Sequence, residues 1–385
     1  MYTCAMSRQG YFINNLSGYK SFNPSPLQEI EKLLNLDKET LNLIIEIHRN
    51  MAKINTMSEL IHDSDLFLYS YVYKEALESS KIEGTECTME DIFSNIKKNE
   101  FESGKNINDI KETISNIKAI EEGVKLLEHL PLCTRFFKEI HKVLLNNVRG
   151  EKKNPGELRV TQNWIGGNNI NSATFIPPNV ENMNTALNEL DKYINDDKSD
   201  VDSLIKTALI HYQFETIHPF LDGNGRLGRI IILLYLIQEK LLLKPNVYIS
   251  YFLKINQLEY YHRLMDVRLN DKYEEYIKFF LLCLKDSTIS VINKISNIDR
   301  LHKDNISKLP KTNRQKNSYK IVFNYIEQNP IFAIKEMQKA TNLSYNTLNT
   351  IVKYLENSKV IKLKEDIKRN RVYVYEEYIE LFKNV

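Results

Sequence analysis

The sequence predicts a mainly α protein with one short β-prone inset and, at its C-terminal end, a winged helix-turn-helix module. Three observations carry this. Apolar residues recur at helical spacing through most of residues 25–285. Between Gly156 and Asn179 the stretch GELRVTQNWIGGNNINSATFIPPN breaks that period with glycines, asparagines and a Pro-Pro pair set between β-prone pieces. The end of the chain reads helix, helix, short turn, helix and strand pair.

In chain order, helical patterns run over Ser25–Arg49 and over Asp65–Ser80, DLFLYSYVYKEALESS. They resume over Asn106–Leu130 and Leu132–Asn147, and the inset that follows is read as a hairpin or extended flap. Beyond it, helices are expected at Val180–Asp196, Asp200–Glu215, Arg226–Leu242 and Gln257–Lys285. DRLHKDNISKLPKTNRQKN, from Asp299 to Asn317, is polar, basic and broken by Pro310, which reads as a linker. After it, Asn342 marks a turn, Ser344 caps a candidate recognition helix, and Lys362 to Arg371 form the wing. The division is an N-terminal helical region at 1–105, a catalytic core at 106–298, a linker at 299–317 and the winged-helix module at 318–385.

Composition narrows the class. With 385 residues, 42% hydrophobic and 26% charged, the chain buries a sizeable core as two or three folding units. Its longest apolar run, Ile230–Ile237, is far short of the roughly 20 residues of a membrane span, and MYTCAMSRQGYF has no signal-peptide core. The expectation is a cytoplasmic protein without a membrane partner. Cys4, Cys87, Cys133 and Cys283 lie far apart and are read as reduced thiols. A net charge of +2 sets up no global field for nucleic acid.

The chemistry concentrates in residues 218–229, HPFLDGNGRLGR, which lead straight into an apolar helix. A glycine-rich turn at a helix N-terminus presents unpaired amides and the positive end of the dipole, which together make an anion site. Arg226 and Arg229 can reach further phosphate oxygens, and Asp222 can hold a magnesium ion that bridges them. The His218 imidazole can take a proton from an incoming hydroxyl near neutral pH. These parts describe phosphoryl or nucleotidyl transfer.

HPFLDGNGRLGR resembles the complete signature of the Fic family, His-x-Phe-x-(Asp/Glu)-Gly-Asn-Gly-Arg-x-x-Arg, with every fixed position matched. HYQFETIHPF, the flap ending TFIPPN, the early YKSFNPSPL and the later NQLEYYHRLMDVR extend the resemblance over roughly Tyr19 to Leu284. What it implies is a Fic-type helical core and protein AMPylation: AMP moves from ATP, with magnesium, to a Ser, Thr or Tyr hydroxyl of a target protein or of the enzyme itself. The resemblance makes His218 the base, Phe220 an apolar anchor and Asp222 the metal ligand. It makes Gly223, Asn224 and Gly225 the anion nest, with Arg226 and Arg229 on the ATP phosphates. Gln213 resembles a position near the nucleotide, Asn256 and Tyr260 are candidates for lining the adenine pocket, with Tyr260 reading at least as well as core, and His211 reads as a packed histidine.

A second stretch, ESSKIEGTEC, has the form Ser-x-x-x-Glu-Gly at Ser79, Glu83 and Gly84. Ser79 and Glu83 share a helix face and Gly84 ends the helix. The stretch resembles the family's inhibitory motif, which implies a Glu83–Arg229 pair that blocks ATP. The flap residues Ala173, Thr174, Phe175 and Ile176 offer backbone to an extended target segment, and Trp164 reads as packing. On the C-terminal module, Lys362, Lys364, Lys368, Arg369 and Arg371 offer cations to DNA, but the recognition helix SYNTLNTIVKYLENSK has only Lys353 and Lys359, which favours a protein partner or a second copy of the chain. The alternative function is a DNA-binding regulator whose core senses a nucleotide without transferring it; an intact His218 favours the enzyme.

Overall fold

The computed structural model describes residues 8–60, 64–96, 106–146, 148–310, 313–365 and 371–383. A hairpin opens it: β1 (Gly10–Asn14) pairs antiparallel with β2 (Lys20–Pro24), with Phe12 opposite Phe22. Then come α1 (Leu27–Ile30), α2 (Lys38–Leu60), α3 (Ser64–Ile82), α4 (Met89–Asn95), α5 (Ile107–Leu126) and α6 (Thr134–Leu144). After the inset follow α7 (Val180–Ile194), α8 (Ser203–Ile217), α9 (Asn224–Gln238), α10 (Ile249–Ile255), α11 (Gln257–Asn270) and α12 (Tyr273–Ser307). The chain closes with α13 (Asn313–Gln328), β3 (Ile331–Ala333), α14 (Ile334–Thr341), α15 (Tyr345–Asn357), β4 (Lys362–Glu365), β5 (Val372–Val374) and α16 (Glu376–Lys383). The protein is mainly helical, with two small antiparallel sheets.

The centre of the core is the antiparallel pair α8 and α9, wrapped by α5, α6, α7 and α12. A helix packed on all sides loses its polar stripe. Leu204 to Ile217 are all buried, and so are Arg226 to Leu236. Several of the polar side chains this traps in α8 have partners, whereas Glu215 Oε1 has none among the described residues. The Lys206 ammonium donates to the Asp196 carbonyl, Thr207 to the Ser203 carbonyl, and Gln213 to the Ser25 carbonyl. His211 sits between the Gly228 carbonyl and the Tyr260 hydroxyl.

Two expectations meet a difference, and one element was not expected. The β1/β2 hairpin is not visible as a strand pattern, because GYFIN and KSFNP are too short to show one. The inset is less regular than a hairpin: a single bridge joins Ile165 to Phe175 around a 3-10 turn at Ile170–Ser172, whose amides bond to the Asn169 side chain. The stretch read as a linker is mostly helix, since α12 continues to Ser307 and α13 starts at Asn313. Lys303, Asp304, Ser307 and Lys308 are exposed, while Asn305 and Leu309 are buried, Asn305 against Tyr375.

In those elements the sheet order is β3-β5-β4, with α14 ending at Asn342 in the left-handed region and Ser344 capping α15. β3 and α16 pack on α4, and α16 packs on α12. The Ser70 and Tyr378 hydroxyls meet at 3.4 Å, Lys294 donates to the Leu381 carbonyl, and the buried Asn305 amide donates to the Tyr375 hydroxyl at 2.7 Å. α3 is therefore covered on both sides, and even Ser70, Lys74, Glu75, Glu78, Ser79 and Ser80 are buried.

Tyr375→Phe leaves the Asn305 amide buried without an acceptor, a loss of about 1–3 kcal/mol. Urea unfolding should show that loss with an unchanged far-ultraviolet circular dichroism spectrum.

Candidate active site

α8 ends where His218 turns left-handed (φ 49°, ψ 61°), its N–H still donating to the Phe214 carbonyl. The loop that follows is held from beneath. The Phe220 ring is buried and stacks on His141 with centroids 3.9 Å apart. The Asn224 side chain accepts from the Phe220 N–H (2.9 Å) and donates to the Phe220 carbonyl (2.8 Å). Asn163 donates to the carbonyls of His218 and Phe220, and Arg159 to those of His218 and Pro178. His141 Nδ1 accepts from the Gly156 N–H, so its Nε2 carries the proton and donates to the Asp222 carbonyl. Burial holds this imidazole neutral, at about 4.

Gly223, at φ 76°, lets the chain turn into α9. The first intrahelical bond is from the Leu227 N–H to the Gly223 carbonyl, so the helix leaves the amides of residues 224–226 without intrahelical partners. Arg226 and Arg229 flank this end, both nearly buried. Arg226 pairs with Glu112 at 3.4 Å and with Asp222 at 3.7 Å, and Arg149 reaches the other oxygen of Glu112. Arg229 is clamped to α3: its Nε donates to the Ser79 hydroxyl, and its Nη2 to the Ser79 carbonyl and, at 2.6 Å, to the Glu83 carboxylate.

Glu83 follows the last residue of α3, just before Gly84 turns the chain at φ 92°. Burial opposes its charge, but Arg229 and then Arg226 outweigh that and hold the carboxyl below its ordinary range. Its Oε1 lies 2.5 Å from where a Cβ on residue 225 would stand. A side chain there would push the carboxylate aside, so the carboxylate rests on the first turn of α9.

His218 Nδ1 is buried with no partner among the described residues. Burial, then Arg268 and Arg159, push the imidazole down to about 4, so at neutral pH it is an unprotonated acceptor. Arg268 donates to Thr216 and lies 3.9 Å over the Phe175 ring, which pins the flap. Phe175 is buried, Thr174 is exposed, and the Ile176 carbonyl already accepts from the Phe22 N–H of β2.

His218, Asp222, Gly223, Asn224, Gly225, Arg226 and Arg229 thus come together, with Ser79 and Glu83 opposite. The other predicted positions do not join them. Gln213 faces away, bonded to Ser25. Tyr260 is buried behind Arg229 and bonded to His211, a core residue rather than a pocket wall. The Asn256 amide is turned back onto the Phe252 carbonyl of its own helix. Asn224 serves the loop through its side chain, as a clamp. Glu112, His141, Arg159, Asn163 and Arg268 were not singled out; each reaches the site from a distant point in the chain, and only Arg268, the last residue of NQLEYYHRLMDVR, lies in a segment that carried the resemblance. Trp164 is 41% exposed, so it is not core packing. On the C-terminal elements Lys362 pairs with Glu376, while Lys368 and Arg369 lie outside the described residues. Cys87, Cys133 and Cys283 are free thiols, and Cys4 also lies outside the described residues.

Residues 131–236, which contain the loop, match the Fic/DOC family, and residues 41–125, which contain Ser79 and Glu83, match the Fic/DOC family N-terminal model. The chain is 25% identical over 213 residues to protein adenylyltransferase Fic of Drosophila grimshawi, covering 55% of this chain and 41% of that protein. It is 24% identical over 250 residues to the protein of the same name from Drosophila mojavensis, covering 64% and 46%. The chain spans less than half the length of these curated relatives. Among solved structures, a Fic family protein from Desulfovibrio desulfuricans superposes with a TM-score of 0.58 at 16% identity, covering 89% of this chain and 97% of its own. A Fic domain containing signaling protein from Bacteroides thetaiotaomicron superposes at 0.52 and 19%, covering 64% and 97%. These two share the fold.

The neutral histidines make stability depend on pH. His141 and His218 sit at about 4, against 6.5 for the unfolded side chain, so between those values the unfolded chain binds more protons. Their contribution is complete above about pH 6.5 and is lost as pH falls toward about 4. Urea unfolding free energies should fall between about pH 7 and about pH 5, and the slope should shrink in His141→Asn.

Proposed function

The chain carries a Fic/DOC domain preceded by the family's N-terminal segment, and from that premise we propose that it is a protein adenylyltransferase held off by its own Glu83. The observation that supports this best is the position of the Glu83 carboxylate, on the anion end of α9 and 2.6 Å from Arg229. A carboxylate there stands where a phosphate would be drawn by the same amides and guanidinium groups.

In the open state, ATP lays its β- and γ-phosphates against the amides of residues 224–226, Arg226 and Arg229. A Ser, Thr or Tyr hydroxyl of the target, or of the chain itself, attacks the α-phosphorus. Its oxygen forms the new P–O bond, the bond to the β-phosphate oxygen breaks, pyrophosphate leaves, and the hydroxyl proton passes to His218 Nδ1. The arginines match the charge that grows on the leaving group. A neutral imidazole is the form this step requires, and its environment keeps it neutral.

Magnesium suits the donor set. Among the described residues no group of three or more His, Cys, Asp or Glu side chains gathers to hold a metal, and magnesium is commonly held by one carboxylate together with substrate phosphates. Asp222 is that carboxylate, about one-third exposed at the mouth of the loop, with Oδ1 accepting from the Gly223 N–H. When bound, the ion neutralises phosphate charge. For the target segment, strand addition along residues 173–176 is restricted, because the Ile176 carbonyl is paired to β2 and the Thr174 and Phe175 amides both donate to the Ile165 carbonyl.

Glu83→Gly frees Arg229. A charge-assisted bond contributes about 1.5–3 kcal/mol, and with Glu83 37% exposed the lower end applies, so auto-AMPylation should rise about tenfold. Adding His218→Ala should abolish it. Initial rates with magnesium and ATP, read as added AMP by intact-mass spectrometry, test both; a Glu83→Gly rate equal to wild type removes the inhibitory role.

A further inference from the structure

The rear face of α3 carries a charge imbalance that adenylyl transfer does not use. Glu78 is 3% exposed and accepts three ammonium groups: Oε1 faces Lys74 at 3.3 Å and Lys81 at 3.2 Å, and Oε2 faces Lys254 at 3.2 Å. Lys74 is also buried, at 4% exposure, with its ammonium 4.9 Å over the Tyr251 ring. These groups line an open cavity of about 380 Å³ together with Glu90 at its rim. Even with Glu90 counted, the cations exceed the carboxylates. Burial and the two neighbouring lysines all press against the charge on Lys74.

Desolvated cations are stable only when paired, and one carboxylate shared by three ammonium groups leaves most of their N–H donors free to bond elsewhere. Three point-like donors around one corner suit a compact multivalent anion, and lysine binds phosphate in this way. The cavity holds more than a single ion. Glu78 and Ser79 are neighbours on α3, about 100° apart around the helix, with Glu78 lining this cavity and Ser79 accepting from Arg229.

We propose that Lys74, Lys81 and Lys254 form a second anion site, for a phosphate-bearing small molecule, behind α3. The site stands apart from the catalytic reading, because none of its lysines contacts the loop. The test is calorimetric titration of the full chain with inorganic phosphate at constant ionic strength, in an Arg226→Gln background that weakens the α9 end. Saturable binding at about 1 mM or tighter is expected. It should weaken at least tenfold in Lys81→Gln/Lys254→Gln, whose side chains are partly exposed and so tolerate the change. It should tighten in Glu78→Gln, which removes the competing carboxylate. Phenyl phosphate in place of phosphate separates the sources: tighter binding assigns the site to a phosphomonoester, equal binding to the free ion. Wild-type affinity in the double variant, or no saturable binding in either wild type or Glu78→Gln, overturns the proposal.

Discussion

The contact on which the rest of the structure turns is the clamp of α3 on Arg229. A guanidinium 1% exposed in the middle of a packed core must be paired, and it has two partners at the end of α3, Ser79 in the last turn and Glu83 just past it. Satisfying Arg229 therefore fixes where α3 ends. It also lays the Glu83 carboxylate on the first turn of α9, where the helix dipole and unpaired amides favour negative charge. One requirement of folding, that a buried cation be matched, and one property of the site, a helix N-terminus that favours negative charge, are met by the same atoms.

The electrostatics around the loop follow from burial. Arg159, Arg226, Arg229 and Arg268 are all nearly buried, and the carboxylates facing them are few. Glu112 takes Arg226; Glu215 lies so deep that burial lifts it to about 7 even though Arg229 favours its charge. The result is a positive, water-poor cleft in which the histidines stay neutral: His141 and His218 at about 4, His211 at about 3. Such a cleft suits a polyanionic substrate and an uncharged base at the same time. Loop geometry is equally imposed from outside, since the Asn224 amide closes on Phe220 and Asn163 and Arg159 hold the carbonyls around it.

What could be read in the sequence was what is contiguous. Residues 218–229 lie in one segment, so His218, Asp222, the turn at 223–225 and both arginines could be picked out as one group, as could the Ser79/Glu83 spacing, and the structure brings them together. Distant partners were not. Glu112 reaches Arg226 across 114 positions and Asn163 reaches Phe220 across 57, and nothing local distinguishes them from other polar residues. Gln213 lies two residues from His211, which rotates it to the far side of α8, a direction that likeness of sequence does not reveal. The expected linker was misread because α12 keeps its apolar contacts on a narrow stripe, with polar residues filling the rest of the surface.

The central claim, that Glu83 displaces ATP from its productive pose through Arg229, is tested most directly by crystal structures. Wild type and Glu83→Gly would each be determined with an ATP analogue whose bond between the α- and β-phosphates resists cleavage. The account predicts that in Glu83→Gly the γ-phosphate engages Arg229 and the α-phosphorus lies in line with a hydroxyl approaching past His218 Nδ1, while in wild type the phosphates are displaced and the Glu83–Arg229 pair persists. The same in-line pose in both proteins, with the pair intact, would contradict it.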